Sequence, residues 1–332
     1  MSFKILISGA AGFIGSSLAD DLLDKNFSVM GIDNFDPFYS REIKENNISD
    51  ALKHKSFTFR EGDIRDMEFL DRCFADFRPD IVIHLAAKAG VRPSIKDPAS
   101  YYSVNVNGTL NMLEAMRKNS TGRMLFASSS SVYGNNKKIP FAESDNVDFP
   151  VSPYAASKKA GELLCHTYHH LFNMDIFCLR FFTVYGPRQR PDLAINKFTR
   201  AMLSDEPITL FGDGSSSRDY THISDIVHGI EKAMAYLRGF DIFNLGESNS
   251  VSLKELVTLL EGSTGKKADI KYLPMQDGDV LRTFADISRA KNVLGYSPVI
   301  NINDGIRKYV EWVRIKAGIS TGNEVAVKRL AK

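Results

Sequence analysis

Short apolar runs alternate with amphipathic segments through the first half of the chain, and this alternation constrains the fold more than any other feature. Strands that alternate with helices pair in parallel, because each helix carries the chain back to the same end of the sheet. The pattern predicts an α/β protein with a doubly wound parallel sheet. The predicted strands are Lys4–Ser8, Ser28–Ile32, Phe57–Glu61, Ile81–His84, Arg123–Ala127 and Ile176–Arg180. Apolar residues at three- and four-residue spacing predict the helices Gly12–Lys25, Asp66–Phe77, Ser100–Lys118 and Ser152–Phe172.

The alternation ends where turn-forming residues begin to interrupt the chain, at Gly186-Pro187. A chain of 332 residues also favours two apposed units over one. We expect residues 1–182 to form a Rossmann-type domain, to which segments around 222–246 return. We expect residues 183–317 to form a smaller C-terminal α/β substrate domain, and the basic tail, residues 318–332, to be flexible.

Composition argues against several functional classes. The formal net charge of +2 gives no reason to expect a nucleic-acid partner. No apolar stretch approaches the length of about 20 residues that spans a bilayer, and the N-terminus lacks a signal-peptide pattern. We therefore expect a cytoplasmic protein outside the membrane. Cys73, Cys165 and Cys178 lack the spacing of metal ligands or of a disulfide framework, so no metal site is expected.

A glycine-rich turn joins the first predicted strand to the first helix. Gly9, Gly12 and Gly15 let the backbone approach a pyrophosphate, which sits on the free N–H groups of the helix N-terminus. Asp33, which ends the second strand beside Asn34, can accept hydrogen bonds from ribose hydroxyls and would repel a 2′-phosphate. The pattern predicts NAD rather than NADP. A turn needed only for packing is the alternative. The turn also contains Phe13 and Ile14.

Tyr154 and Lys158 are four residues apart, and a helix places such residues on one face. A nearby ammonium group favours the phenolate and lowers the pKa of the tyrosine, which can then act as a general base towards a hydroxyl. A run of four serines, Ser128–Ser131, ends the fifth strand at the edge of the sheet where ligands bind. An ordinary surface pair and a polar turn are the alternatives.

Taken in order, the motifs of this chain resemble those of the extended short-chain dehydrogenase/reductases, from residue 3 to about Trp312. The resemblance implies a tightly bound NAD, with Asp63 and Ile64 around its adenine and Asn105 supporting the strand ends. It also implies that Ser129, Tyr154 and Lys158 are catalytic. The matching motifs are Gly9-x-x-Gly12-x-x-Gly15, Gly62-Asp63-Ile64-Arg65-Asp66, Leu85-Ala86-Ala87 against the cofactor, Val104-Asn105-Val106-Asn107-Gly108-Thr109 and Tyr154-Ala155-Ala156-Ser157-Lys158.

The residues beside Ser129 indicate which reaction follows. Family members that dehydrate or decarboxylate a 4-keto sugar carry acidic residues there, whereas this chain has Ser130 and Ser131. Without a carboxylate to protonate a leaving hydroxyl, elimination is disfavoured. The resemblance therefore implies epimerisation at C4 of a UDP-hexose through a transient 4-keto intermediate, with NAD regenerated in each turnover.

The segment from Arg180 to Asp192 is similar to the pattern of the UDP-glucuronate 4-epimerases, a group within that family. The similarity implies that Ser130, Ser131, Thr183 and Arg190 surround the sugar carboxylate, which an arginine fork can pair bidentately. Lys88 stands where glutamine is usual. The resemblance places further substrate contacts at Arg92, Asn196, Lys197 and Phe198, at Phe211 for uracil, at Arg218 and Arg282 for the diphosphate, and at Asp279 for the ribose.

Other interpretations remain open at this point. UDP-glucose or UDP-N-acetylhexosamine is the alternative substrate, and a non-catalytic NAD-binding protein is the alternative from another class. The helices at 100–118 and 152–172 match those that form a dimer interface in relatives, so a homodimer is expected.

Overall fold

Twelve strands lie in the part of the chain that the computed structural model describes, residues 3–275 and 280–318. They are β1 (Lys4–Ser8), β2 (Ser28–Asp33), β3 (Phe57–Glu61), β4 (Ile81–His84), β5 (Arg123–Ser129), β6 (Asp175–Phe181), β7 (Thr183–Tyr185), β8 (Ile208–Phe211), β9 (Ser217–His222), β10 (Phe240–Leu245), β11 (Ser250–Ser252) and β12 (Ile270–Leu273). Seven strands form one sheet in the order β10-β6-β5-β4-β1-β2-β3. Every neighbouring pair in this sheet is parallel.

The described residues also form twelve α-helices, and the longest ones cover both faces of the sheet. The helices are α1 (Phe13–Asp24), α2 (Arg41–Ile48), α3 (Met67–Phe77), α4 (Val91–Lys96), α5 (Pro98–Tyr102), α6 (Gly108–Lys118), α7 (Pro153–Phe172), α8 (Ala194–Leu203), α9 (Ile223–Tyr236), α10 (Leu253–Thr264), α11 (Ser288–Leu294) and α12 (Ile302–Lys316). Along β1, Ile5 and Ile7 pack into one core with α1 and α9, and Leu6 packs into a second core with α3, α6 and α7.

The predicted fold class is confirmed, because a parallel sheet with strand order 3-2-1-4-5-6 and helices on both faces is the doubly wound Rossmann arrangement. All six predicted strands are present. The strand β10 extends the sheet beside β6.

One predicted helix, at 100–118, is interrupted. The chain forms α5, then a π-helical segment Ser103–Asn107, then α6. A π segment accommodates one extra residue per turn, and such segments are frequent at functional sites. Here it contains Asn105, whose amide reaches out of the helix to other parts of the chain.

The remaining elements form a smaller α/β assembly. Strands β7 and β9 pair in parallel, β11 joins β9 antiparallel, and β8 pairs in parallel with β12. Helices α8, α10 and α12 pack around a third core, which includes Phe198, Leu256 and Tyr309. In the residues described, no helix combines the length and apolar character that a membrane crossing requires.

Candidate active site

A cavity of about 390 Å³ lies along the carboxyl ends of the main parallel strands. This is the edge at which open α/β sheets bind ligands, because the strand-to-helix turns meet there. Most of the residues predicted for the cofactor and the reacting sugar line it. They are Gly9, Gly12, Phe13, Ile14, Gly15, Asp33, Asn34, Asp63, Ile64, Leu85, Ala86, Ala87, Ser129, Ser130, Ser131, Tyr154, Lys158, Thr183 and Arg190.

The turn between β1 and α1 requires its glycines. Gly9 has a positive φ of 74°, and a Cβ atom there would lie 2.8 Å from the backbone nitrogen of Ala86. A Cβ on Gly15 would collide with the Gly9 carbonyl oxygen. Gly12 is the N-cap of α1 and offers no side-chain hydrogen bond to the first turn. The free N–H groups of that turn therefore suit an anionic group such as a pyrophosphate.

Asp33 is held firmly at the end of β2. Its carboxylate accepts hydrogen bonds from the backbone N–H groups of Ala11, at 3.1 Å, and Phe35, at 2.8 Å. Burial raises the pKa of Asp33, and the charge of Lys44, 4.0 Å away, lowers it. A carboxylate fixed beside the glycine turn fits the ribose hydroxyls of NAD.

Asp63 and Asn34 meet across the ends of β3 and β2. The Asn34 amide donates to Asp63 at 2.8 Å, and Arg65 forms two side-chain hydrogen bonds with the same carboxylate at 2.9 and 2.7 Å. These bonds from Arg65 hold the pKa of Asp63 down at about 2. The acid is therefore a permanent acceptor at this end of the cavity.

Asn105 does not line the cavity, but it supports a residue that does. Its amide oxygen accepts from the backbone N–H of Lys88 at 2.8 Å, and its NH₂ group donates to the Lys88 carbonyl oxygen and to Ser157 Oγ, each at 2.9 Å. The π-helical segment thus ties the turn after β4 to the helix that carries Tyr154.

Tyr154 enters the cavity from the first turn of α7. The side chain of Ser152 caps this helix by accepting from the Ala155 N–H at 3.1 Å, and Pro153 occupies the first turn. Burial raises the pKa of Tyr154, while a hydrogen bond with the Ser129 side chain and the charge of Arg190 lower it. Both groups therefore favour the phenolate that a general base requires.

Lys158 lies one turn further along α7, and its buried ammonium group is anchored to β5. It donates to the carbonyl oxygen of Ala127 at 2.7 Å. Burial lowers the pKa of Lys158 to about 8. The charge of Arg190, from a segment distant in sequence, also contributes to lowering the pKa of Tyr154.

The serine run ends β5 in a short 3₁₀ turn, Ser130–Tyr133. Ser129 caps this turn, since its Oγ accepts from the Ser131 N–H at 3.1 Å and lies 3.2 Å from Ser131 Oγ. The hydroxyl groups of the run thereby gather at the cavity wall, and none of residues 128–131 is acidic. The carboxylate that the run contacts is that of Glu162, which is buried and accepts from Ser128 Oγ at 2.6 Å.

The residues predicted for the UDP part lie elsewhere. Arg92 of α4 places its guanidinium 4.7 Å from the ring centroid of Phe211 at the end of β8. Asn196 is buried, and it donates to the Gln189 carbonyl oxygen at 2.5 Å and accepts from Arg200 at 2.7 Å. Lys197 is exposed, whereas Phe198 is buried in the third core. Arg218 is on β9, and the backbone of Arg282 forms an isolated β-bridge with that of Ser217. Asp279 is outside the described residues.

Several cavity residues escaped prediction. Phe38, Tyr39 and Lys44 line the cavity from the segment that follows β2, and their position after a strand end is a signal that could have revealed them.

Behind the serine run, the fully buried Arg180 and Glu162 form a bidentate pair with both contacts at 2.8 Å. Ser128 and Tyr133 also bind this pair.

A glycine turn at a helix start, an acid at the end of β2 and a Ser-Tyr-Lys set around one cavity are together the arrangement of the short-chain dehydrogenase/reductases. A family model described as GDP-mannose 4,6 dehydratase matches residues 6–309. The chain belongs to this family, within the extended short-chain dehydrogenase/reductases, as its motifs predict. The family binds NAD.

Individual relatives match over nearly the whole chain. A UDP-glucuronate 4-epimerase from Thermodesulfobacterium geofontis is 42% identical, over 92% of this chain and 95% of the relative. The crystal structure of UDP-glucuronic acid 4-epimerase from Bacillus cereus with UDP-glucuronic acid and NAD has a TM-score of 0.90 at 38% identity, covering 95% of this chain and all of that one. UDP-glucose 4-epimerase from Thermotoga maritima, with UDP-glucose, has a TM-score of 0.88 at 32% identity, with coverages of 95% and 100%.

Proposed function

We propose that this protein is an NAD-dependent UDP-glucuronate 4-epimerase, which converts UDP-glucuronate to UDP-galacturonate through a transient 4-keto intermediate. One observation carries the proposal: Arg190 lines the same cavity as Tyr154 and the serine hydroxyls. A cation beside the general base suits a hexose that carries a carboxylate. The similarity to two enzymes with this activity supports the assignment.

NAD is the resident cofactor, held by the glycine turn after β1, by Asp33 at the ribose and by Asp63 and Ile64 around the adenine. When bound, it would supply the acceptor for the C4 hydride and the donor for its return to the opposite face of the sugar. Because the cofactor is regenerated in each turnover, it stays tightly bound.

The side chains of the protein handle the proton. Tyr154 takes the proton of the C4 hydroxyl, and Ser129 hydrogen-bonds the reacting oxygen and the phenol. Lys158 donates to the Ala127 carbonyl oxygen, and its ammonium group also contacts the bound NAD. After the flat keto sugar has rotated within the site to present its other face, Tyr154 gives the proton back to the new C4 hydroxyl.

The sugar carboxylate binds Arg190, and the hydroxyls of Ser130, Ser131 and Thr183 satisfy its remaining lone pairs. The serines also explain why the reaction stops at epimerisation, since no acid among them protonates a leaving group. The UDP moiety lies towards the smaller assembly. Its proposed contacts are Arg92, Asn196, Lys197, Phe198, Phe211, Arg218, Asp279 and Arg282.

We also propose that the chain divides into two domains, residues 1–182, to which later segments return, and residues 183–317. A cytoplasmic location is part of the same proposal.

A homodimer through α6 and α7 is supported by apolar side chains on α7 that are left exposed. Leu163, Leu171 and Phe172 are 57, 59 and 43% exposed. Burying them against a second copy would remove apolar surface from water.

The hydride route can be tested with the solvent isotope. We expect purified protein, incubated with UDP-glucuronate in D₂O without added NAD, to form UDP-galacturonate that carries protium at C4 in the NMR spectrum. Deuterium at C4 would contradict return of a held hydride. Loss of the carboxyl group, giving a UDP-pentose, would contradict epimerisation.

A further inference from the structure

The loop that carries Arg190 has a second charged residue without a place in the proposed mechanism. The Leu193 N–H donates to the Arg190 carbonyl oxygen at 3.2 Å, which closes a tight turn with Pro191 and Asp192 at its centre. Proline favours the second position of such turns because its φ is preset. The turn brings the Asp192 carboxylate back onto the Arg190 side chain.

Asp192 binds one edge of the Arg190 guanidinium. The Nε–H donates to Oδ1 at 2.9 Å, and Nη2 donates to Oδ2 at 2.7 Å. An arginine has five N–H donors, so this bidentate contact leaves three for another acceptor. Asp192 itself is 39% exposed and does not line the cavity, whereas Arg190 is 17% exposed and does.

A second contact restrains the face of the guanidinium. The Cζ atom of Arg190 lies 5.1 Å from the ring centroid of Phe38, which lines the cavity from the segment after β2. Behind the loop, Gln189 accepts from the Asn196 N–H at 3.1 Å and donates to the Val184 carbonyl oxygen at 3.1 Å. The arginine is therefore held at its edge, at its face and through its backbone.

We propose that Asp192 is a specificity-determining positioning residue: by holding the Nε edge of Arg190, it presents the remaining donors of the fork to the carboxylate of the sugar. This inference rests on the proposed function. Asp192 acts from behind the arginine and does not occupy the cavity, so it orients Arg190 without competing with the substrate. The arrangement strengthens the binding of an acidic sugar, whereas a neutral sugar has no carboxylate to pair with the oriented guanidinium.

The test is Asp192→Asn, which keeps the shape of the side chain but removes its charge and one acceptor. Hydrogen bonds between charged groups are roughly twice as strong as those between neutral groups. We therefore expect KM for UDP-glucuronate to rise about tenfold or more with a smaller change in kcat, and the preference for UDP-glucuronate over UDP-glucose in kcat/KM to fall by a similar factor. In an Arg190→Met background the same substitution should change nothing further.

Asp20→Asn is the matched control. It removes the ion pair of 2.6 Å with Arg188, two residues from Arg190 in the same loop, and Arg188 does not line the cavity. The control should keep the substrate preference of the unmodified protein. An equal loss of preference in Asp20→Asn would mean that general loosening of the loop, and not Asp192, is responsible.

Other outcomes separate the two proposals. If the unmodified protein prefers UDP-glucuronate and Asp192→Asn keeps that preference, or lowers KM, the inference about Asp192 is wrong while the proposed function stands. If the unmodified protein does not epimerise UDP-glucuronate, the proposed function fails first. Should Asp192→Asn not fold, Arg190→Lys provides the second test, because an ammonium group cannot make the forked contact; retained preference in that variant overturns the inference.

Discussion

Arg190 and Tyr154 line one cavity, and their charges influence each other. Burial raises the pKa of Tyr154, and the charge of Arg190, together with the Ser129 hydrogen bond, acts in the opposite direction. The residue proposed to bind the substrate carboxylate is thus coupled to the proposed general base.

This coupling predicts a shifted pH profile. Removing the charge in Arg190→Met raises the pKa of Tyr154, so the limb of the kcat–pH profile that reports phenolate formation moves to higher pH. Arg190→Lys keeps a positive charge and should leave that limb closer to its original position. The profiles can be measured at saturating substrate. An unshifted limb in Arg190→Met would contradict the coupling.

Tyr154→Phe removes the general base while keeping the ring. General acid–base catalysis contributes typically 10²–10⁴-fold, so we expect kcat to fall by about that factor, with bound NAD retained. The check combines initial rates with the NAD content of the purified protein. Tyr101→Phe is the control, because Tyr101 packs edge-on against Tyr154 and its hydroxyl binds only the Ala89 carbonyl among the described residues. Comparable losses in both variants would contradict the specific role of Tyr154.

The buried Arg180–Glu162 pair predicts a large effect on stability. Glu162→Gln leaves the Arg180 charge buried without its partner, which costs about 3–5 kcal/mol in the free energy of unfolding. Asp50→Asn removes the exposed Lys53–Asp50 pair and should cost less than about 1 kcal/mol. Denaturant unfolding measures both. Equal stabilities for the two variants would show that the buried pair does not stabilise the fold.

His84 predicts acid sensitivity. It is fully buried between Ser8, at 2.6 Å, and Thr109, at 3.1 Å. Burial lowers its pKa from 6.5 to about 3. Because the unfolded chain binds a proton below pH 6.5 and the folded protein does not, stability is present above that pH and is lost as the pH falls towards 3.

The contribution of His84 to this slope is at most about 1.4 kcal/mol per pH unit. We expect His84→Gln to lose that contribution in unfolding curves measured between pH 6.5 and 4.5. A slope that His84→Gln does not alter would rule out the linkage.

Local signals allowed the cofactor side of the site to be predicted. The glycine turn and Asp33 are each adjacent to a strand whose apolar pattern is clear, so their position follows from the strand itself. The π-helical segment could not be predicted, because it depends on the bonds of Asn105 to distant residues.

The pairings between charged residues could not be predicted from the sequence either. Apolar spacing identifies the buried face of α7, but it does not reveal that Glu162 is on that face with Arg180 opposite. Likewise, the sequence places Lys158 near Tyr154, yet only the folded chain brings Arg190 into the cavity that Tyr154 lines and directs Lys158 to Ala127. Polar pairings between distant segments depend on tertiary packing, which periodicity does not encode.

The most direct measurement is epimerisation by purified protein, without added NAD, of UDP-glucuronate and UDP-glucose in parallel, followed by NMR. We expect UDP-galacturonate to form with a clearly higher kcat/KM than UDP-galactose, and Arg190→Met to remove the difference. Faster formation of UDP-galactose by the unmodified protein would contradict the assignment of the acidic sugar, and no product from either substrate would contradict the proposed activity.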